Sequence, residues 1–245
     1  MRVIVSGALG RMGSEVAKAI LAQPDMELVA GVEAHDRLRE DPGFVLHPSV
    51  IGLSADVLAD FTSASISLPI LREAASSGMA LVVGTTGFSP DQAEEIRSLS
   101  GKVPVLVSAN MSLGIAILSG LVRQVAALVP DYDVEIAEIH HRGKKDSPSG
   151  TAKALFGAVK EARPQASMVT SRQGPRTERE VGVFGLRGGG VFGDHSVHFL
   201  GDGEIITLSH RALSRAAFAQ GTLAAIRFIA GAKPGFYTMA DVLGL

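Results

Sequence analysis

The sequence predicts an α/β fold: a doubly wound, mostly parallel sheet in the first half, then an α+β region with a mixed sheet. Three observations carry that expectation. Short apolar runs alternate with amphipathic helical stretches up to about residue 110, the rhythm of parallel strands joined by crossover helices. Glycine supplies 28 of 245 residues, above the usual share of roughly 7%, and it clusters where the apolar runs end and the chain must turn tightly. Beyond residue 110 the runs lengthen and alternate with period two, as strands with one buried face do.

Taken in order, Val3–Ser6 breaks at Gly7, and a helical pattern follows from about Arg11 to Leu21. Leu28–Val32 ends at Glu33, completing a βαβ unit. Residues 34–54 are polar and irregular, with Pro42, Gly43 and Pro48. Val57–Phe61 reads as a strand, residues 65–77 as a helix, and Ala80–Val83 as a buried strand closing at Gly84-Thr85-Thr86-Gly87. Ser89 and Pro90 open another helix, with Asp91 and Glu94 favourably placed in its first turn. Val103–Val107 is the next strand, closing at Ser108, Ala109 and Asn110.

A long apolar helix is then expected over Leu113–Leu128, a strand over Val134–His140, a polar loop over 141–149 and a helix from Gly150 to about Ala162. Residues 164–209 read as several longer strands, with clear alternation in Val197–Leu200 and Glu204–His210. A last helix covers Ala216–Ala230. The expected domains are a dinucleotide-binding domain of residues 1–110, to which 216–245 return, and a substrate-binding and oligomerisation domain of residues 111–215.

Composition excludes several classes. Hydrophobic residues at 46% and charged residues at 20% fit an ordered globular chain. A net charge of −2 gives no sign of a nucleic-acid partner. There is no cysteine, which rules out disulfides, thiolate nucleophiles and cysteine zinc sites. No segment reaches the roughly 18 uninterrupted apolar residues of a membrane span, and the first residues lack the features of a signal peptide. A cytoplasmic protein with no membrane partner is expected.

The chemistry concentrates in loops at strand ends. Gly7-Ala8-Leu9-Gly10-Arg11-Met12-Gly13 follows a strand and opens a helix, where glycines allow close approach of a pyrophosphate whose charge sits at the helix N-terminus. Glu33 ends the second strand 20 residues after Gly13, the place of an acid that accepts from the adenosine ribose. Gly84-Thr85-Thr86-Gly87 and Ser108-Ala109-Asn110-Met111 lie at the carboxyl ends of two further strands, along the ligand crevice of an open sheet. Their hydroxyls and amides could bind a nicotinamide nucleotide, NADH or NADPH.

The densest constellation is the run from Glu138 through His140, His141, Arg142, Lys144 and Lys145 to Ser149-Gly150-Thr151. Ser149 is a helix-cap candidate whose neighbouring free N–H groups suit a carboxylate. The cations across the loop could grip a second carboxylate, and a histidine or lysine beside the anion could deliver a proton. The site reads as one for a small dianion that must be protonated. No metal is expected: His140 and His141 are adjacent on a strand and point to opposite sides. His195, His198 and His210 read as surface or hydrogen-bonded residues. No G-x-S-x-G elbow marks a nucleophilic serine.

GALGRMG, the Asp60–Thr62 triplet DFT, GTTGF, SANMSLG, EIHHRGKKDSPSGTA and the closing FYTMADVLGL occur in this order along the chain. In them the sequence resembles the dihydrodipicolinate reductases, also called 4-hydroxy-tetrahydrodipicolinate reductases, of lysine biosynthesis. The resemblance implies a Rossmann-type first domain, NAD(P)H as cofactor and a cyclic dicarboxylate as substrate, in the diaminopimelate route. It implies His140 as proton donor with Lys144 as its catalytic partner, and His141, Gly150 and Thr151 as substrate-carboxylate contacts. It assigns cofactor contacts to Gly7, Ala8, Leu9, Gly10, Arg11, Met12, Glu33, Gly84, Thr85, Thr86, Ser108, Ala109, Asn110 and Met111. A hinge between domains and a homotetramer built through the second domain's sheet also follow from it. Some members carry an arginine after the ribose acid or after the DFT triplet; here those positions are Ala34 and Ser63, so NADH should serve at least as well as NADPH. The competing readings are another two-domain dehydrogenase of a small carboxylate and a non-catalytic NAD-sensing protein.

Overall fold

The computed structural model describes residues 1–38 and 41–245; within the stretch expected to be irregular, positions 39 and 40 lie outside the described residues. The chain runs β1 (Arg2–Ser6), α1 (Gly13–Leu21), β2 (Glu27–Val32), β3 (Leu46–His47), β4 (Val57–Asp60), α2 (Ala64–Ser76), β5 (Ala80–Val83), α3 (Pro90–Leu99) and β6 (Pro104–Val107). It continues with α4 (Leu113–Leu128), β7 (Asp133–His140), α5 (Gly150–Ala162), β8 (Ser167–Val169), β9 (Glu180–Arg187), β10 (Gly193–Leu200) and β11 (Ile205–Ala212). It ends with α6 (Ala216–Ala230), β12 (Gly235–Tyr237) and α7 (Met239–Leu243). Two compact units result: Met1–Ser112 with Ala216–Gly244, and Leu113–Arg215 with Leu245.

The first unit holds a seven-stranded sheet in the order β12-β6-β5-β4-β1-β2-β3, and every pairing is parallel. Val3, Ile4, Val5, Leu58, Leu81 and Val105 are wholly buried, which is why these strands read as short continuous apolar runs. The order reverses between β1 and β4, so the crevice of such a sheet lies outside the carboxyl ends of those two strands. α6 packs on β4, β5, β6 and α1 through Leu223, Ile226 and Ile229. Ser89 caps α3 in a full capping box with Gln92, the outcome expected from Ser89-Pro90.

The second unit holds a mixed five-stranded sheet in the order β11-β10-β7-β9-β8. β7 is antiparallel to β10 and parallel to β9. Its core joins Val134, Ile136, Val183, Val197 and Phe199 of the sheet to Leu118, Val122, Leu155 and Val159 of α4 and α5. The cross-strand register sets Ile139 beside Leu186, Ala137 beside Phe184 and Leu200 beside Ile205 on the opposite face, where Leu186 and Ile205 are exposed.

Two differences from the sequence reading concern short edge strands. β3 lies inside the stretch expected to be irregular and pairs with β2 through two residues only. β12 pairs with β6 where no strand was expected. Strands of two or three residues are too short to show alternation. α1 begins at Gly13, later than the expected Arg11, because the glycine turn takes up residues 7–12. Among the described residues no helix is long and apolar enough to cross a membrane.

Candidate active site

In the first unit, β1 delivers the chain to Gly7, whose φ is +71°. A Cβ there would sit 2.5 Å from the Phe61 carbonyl oxygen, and one on Gly13 would sit 2.0 Å from the Gly7 oxygen. Both glycines are steric requirements of the turn. Gly10 N–H closes it by donating to the Gly7 oxygen at 2.9 Å. α1 then starts with no side-chain cap; Ser14 N–H is taken by the Gly10 oxygen at 3.0 Å, and the positive end of the helix faces the turn, where an anion is favoured. Glu33 holds the loop from the end of β2: its Oε1 accepts from Leu9 N–H at 2.6 Å, and Arg37 lies 3.7 Å from Oε2. Ala8 is buried, Met12 half-buried and Arg11 exposed. The uncapped helix and a turn that excludes side chains fit a dinucleotide pyrophosphate.

Beside it, Asp60 at the end of β4 is fully buried and accepts from four hydroxyls. Ser6 and Thr62 donate to Oδ1 at 2.6 and 2.9 Å, Ser67 and Thr85 to Oδ2 at 2.6 Å each. Thr85 also accepts from Thr62 N–H at 2.8 Å. The Thr85 hydroxyl, expected as a ligand group, is thus engaged in tying the ends of β1, β4 and β5 together. Gly84 admits the Phe61 ring, which a Cβ would meet at 2.2 Å, and Thr86 is exposed. Ser108 donates to the Asn110 carbonyl at 2.7 Å and Asn110 Oδ1 accepts from Ser112 N–H at 2.9 Å, which fixes the Ser108–Met111 turn. Ala109 is exposed there and Met111 buried.

In the second unit, Glu138 and His140 lie two apart on β7 and share one face; both are buried. Glu138 Oε1 accepts from Ser149 N–H at 3.0 Å and from Arg187 Nη2 at 2.8 Å. Its Oε2 accepts from Arg187 Nη1 at 2.9 Å and is paired with His140 Nδ1. Ser149 Oγ accepts from Ala152 N–H at 3.1 Å, the expected cap of α5, and contacts His195 Nε2 at 3.2 Å. Gly150 is exposed and Thr151 half-buried at the first turn. His195 lies opposite Glu138 on β10, only 2% exposed, with its ring edge-on to His140 at 5.0 Å between centroids. It is a buried, hydrogen-bonded residue rather than a surface one. A Cβ on Gly193 would come within 3.2 Å of His140 Nε2, so glycine leaves that nitrogen room.

His141 turns to the other side of the strand end, its N–H on the Val191 oxygen at 2.8 Å. Lys144 follows in the loop, its Nζ 2.8 Å from Asp146 Oδ1, and Arg187 Nη2 donates to the Asp146 carbonyl at 2.6 Å. Burial alone would push the Glu138 carboxyl up, but hydrogen bonds from Arg187, His140 and Ser149 N–H outweigh it and hold it below the usual range. Burial holds His140 low against the upward pull of Glu138, and the charges of Lys144 and Arg187 add to burial. Burial, with His140 nearby, pushes His195 down to about 4. Glu138, His140 and His195 offer ligand atoms within 4.8 Å of one another. A guanidinium bidentate on the cluster's carboxylate opposes a divalent cation there.

Glu138, Arg187 and His195 were not singled out as site residues from sequence. Glu138 carried a signal, its two-residue spacing from His140; the other two reach it only through strand register.

The family model described as dihydrodipicolinate reductase, N-terminus, matches residues 1–111, and the one described as dihydrodipicolinate reductase, C-terminus, matches 114–243. The chain belongs to the dihydrodipicolinate reductase family. The resemblance drawn from the motifs is therefore correct. Relatives named 4-hydroxy-tetrahydrodipicolinate reductase include that of Methanoculleus marisnigri, 44% identical with 100% of both chains covered. That of Aquifex aeolicus is also 44% identical, covering 100% of this chain and 99% of its own. Among solved structures, the dipicolinate-bound dihydrodipicolinate reductase from Paenisporosarcina sp. TG-14 matches with a TM-score of 0.81, 25% identity and 97% of each chain covered. A probable dehydrogenase from Thermotoga maritima, 12% identical with a TM-score of 0.66 over 99% of this chain and 92% of its own, shares the fold alone.

Proposed function

We propose that this member of the dihydrodipicolinate reductase family reduces 4-hydroxy-tetrahydrodipicolinate to tetrahydrodipicolinate, in the diaminopimelate route to lysine, using NADH or NADPH. The observation that carries the site assignment is the double engagement of Glu138. One carboxylate holds the His140 ring and the amide of Ser149, the cap of α5. A proton-bearing imidazole and a helix start suited to a carboxylate are thereby fixed together. The reaction takes up one hydride and one proton and releases water. The reduced nicotinamide, when bound, supplies the hydride. His140 supplies the proton from Nε2, with Lys144 as its partner. Gly150 and Thr151 hold one carboxylate at the start of α5, and His141 and Lys144 hold the other. The Gly7–Met12 turn, Glu33, Gly84–Thr86 and Ser108–Met111 bind the nucleotide.

The Paenisporosarcina relative, described as dipicolinate-bound, supports the dicarboxylate reading. Leu186 and Ile205, exposed on the face of the second sheet turned away from its core, support a homotetramer built through that sheet, although Glu135, His198 and Arg211 share the face. A cytoplasmic setting accompanies this reading.

Pyridine-2,6-dicarboxylate tests the site without the unstable substrate. At 100 times its dissociation constant it should add about 2.7 kcal/mol to stability, seen as a raised unfolding temperature, and it should compete with substrate. Picolinate, with one carboxylate, should shift the transition much less. Equal shifts from both would reduce the loop to an unspecific anion patch.

A further inference from the structure

We propose that Glu138 and Arg187 form a positioning pair that fixes which nitrogen of His140 carries the resting hydrogen, leaving Nε2 to exchange the reacting proton. The inference rests on His140 being the proton donor and adds what sets its tautomer. Both Glu138 oxygens receive the Arg187 guanidinium, Oε1 also receives Ser149 N–H, and among the described residues the one remaining partner, at Oε2, is His140 Nδ1. A carboxylate can only accept, so Nδ1 must carry a hydrogen in either charge state of the ring. Nε2 is then the nitrogen that gains and loses a proton, beside Gly193. Arg187 is itself anchored by the Leu186 and Asp146 carbonyls, which fixes the plane of the fork.

The charged and titratable groups around His140 come from every neighbouring segment. Glu138 shares its strand, Arg187 ends β9, and Lys144 lies in the loop after β7. His195 faces it from β10, with Asp194 and then His210 of β11 beyond. Glu138 favours the protonated ring, whereas Lys144 and Arg187 oppose it. The two members of the pair therefore act on the proton in opposite senses, and that makes the pair testable.

In Glu138→Gln the amide oxygen belongs at the Oε1 position, where both partners, Ser149 N–H and Arg187 Nη2, can only donate, whereas at Oε2 only Arg187 Nη1 is an obligate donor and His140 can change tautomer. The amide NH2 then faces His140 Nδ1, forces the hydrogen onto Nε2 and disfavours protonation of the ring. Turnover at pH 7 should fall by about 10²–10⁴, the loss expected when a positioned acid is removed. The descending alkaline limb of the kcat profile should move down by about one pH unit. Arg187→Gln removes the opposing charge while Glu138 keeps its hold on Nδ1, so that limb should move up. Nitrogen-15 NMR of the imidazole reads the tautomer directly: hydrogen on Nδ1 in the unmodified protein and in Arg187→Gln, on Nε2 in Glu138→Gln.

His140→Gln is measured alongside. If it keeps more than about half of normal turnover, against the loss expected for a positioned acid, the proton-donor reading fails and this inference goes with it. If His140→Gln is inactive while Glu138→Gln keeps normal turnover and an unmoved limb, the positioning pair alone is refuted. Should Glu138→Gln not fold, Arg187→Gln decides: a limb that stays in place or moves down overturns the pair. A purely structural pair would lower stability in both variants and leave limb and tautomer unchanged.

Discussion

Replacing His195 by glutamine should alter the acid sensitivity of the protein far more than its activity at neutral pH would indicate. The imidazole is 2% exposed, and its Nδ1 finds no partner among the described residues. Burial holds its pKa at about 4, against an ordinary value of 6.5. The native chain therefore favours neutral His195, while the unfolded chain takes up its proton near pH 6.5. The resulting stabilisation is complete above pH 6.5, falls as pH falls, and is gone below about pH 4. At about 1.4 kcal/mol per unit the full effect is about 3 kcal/mol, of which about 2 kcal/mol is lost by pH 5. His140 and His210, both held low chiefly by burial, add losses of the same sign in both proteins. Subtracting the variant isolates His195. Urea unfolding at pH 8 and pH 5, at matched ionic strength, should show the stability gap between the unmodified protein and His195→Gln shift by about 2 kcal/mol against the unmodified protein. A gap that stays the same at both pH values would refute the reasoning.

Other outcomes follow from the nucleotide loops and the substrate loop. With Ala34 and Ser63 in place of guanidinium groups, NADH should be used at least as well as NADPH in steady-state kinetics; a hundredfold preference for NADPH would show that another cation reaches the 2′-phosphate. Asp60→Ala would strand the buried Ser6 and Ser67 hydroxyls, each costing about 1–3 kcal/mol, and free Thr85 from its turn. Thermal unfolding and cofactor titration should both register the loss, whereas unchanged cofactor affinity would confine Asp60 to the fold. Lys144→Ala should lower kcat and raise KM together, because an ammonium beside a carboxylate serves both steps; a change in KM alone would make it a binding residue only.

Elements held by local patterning were legible from sequence. α4, α5 and α6 carry long apolar stripes between clear stops, and their bounds match the expected Leu113–Leu128, Gly150–Ala162 and Ala216–Ala230. Ser149 was legible as a cap because its side chain and the amide it serves lie three residues apart. β3 and β12 were not, because strands of two and three residues are too short to carry a pattern of their own. A different limit, distance along the chain, applies to chemistry. His140 stands out in a His-His run, but the carboxylate that holds it, Glu138, is gripped by Arg187 of β9, and its ring faces His195 of β10, 47 and 55 residues away from it. Thr85 illustrates the converse. Its place in a strand-end loop suggested a ligand contact, yet its hydroxyl is spent on Asp60, 25 residues earlier.

The position of α6 and β12 bears on how the chain is made. Residues 1–112 build six of the seven strands of the first sheet, but α6, which covers β4, β5 and β6, and β12, which completes the edge beside β6, come only after residue 215. On the ribosome, chains generally fold as units from the N-terminal end. Here the unit begun first is finished last. The apolar surface of Leu223, Ile226 and Ile229 is missing while the whole of residues 113–215 emerges, and the open edge of β6 stays a template for stray pairing during that interval. A chain truncated before residue 216 should therefore bring down its own nascent sheet as aggregate, while the second unit, which closes its core within a continuous segment, has no such wait.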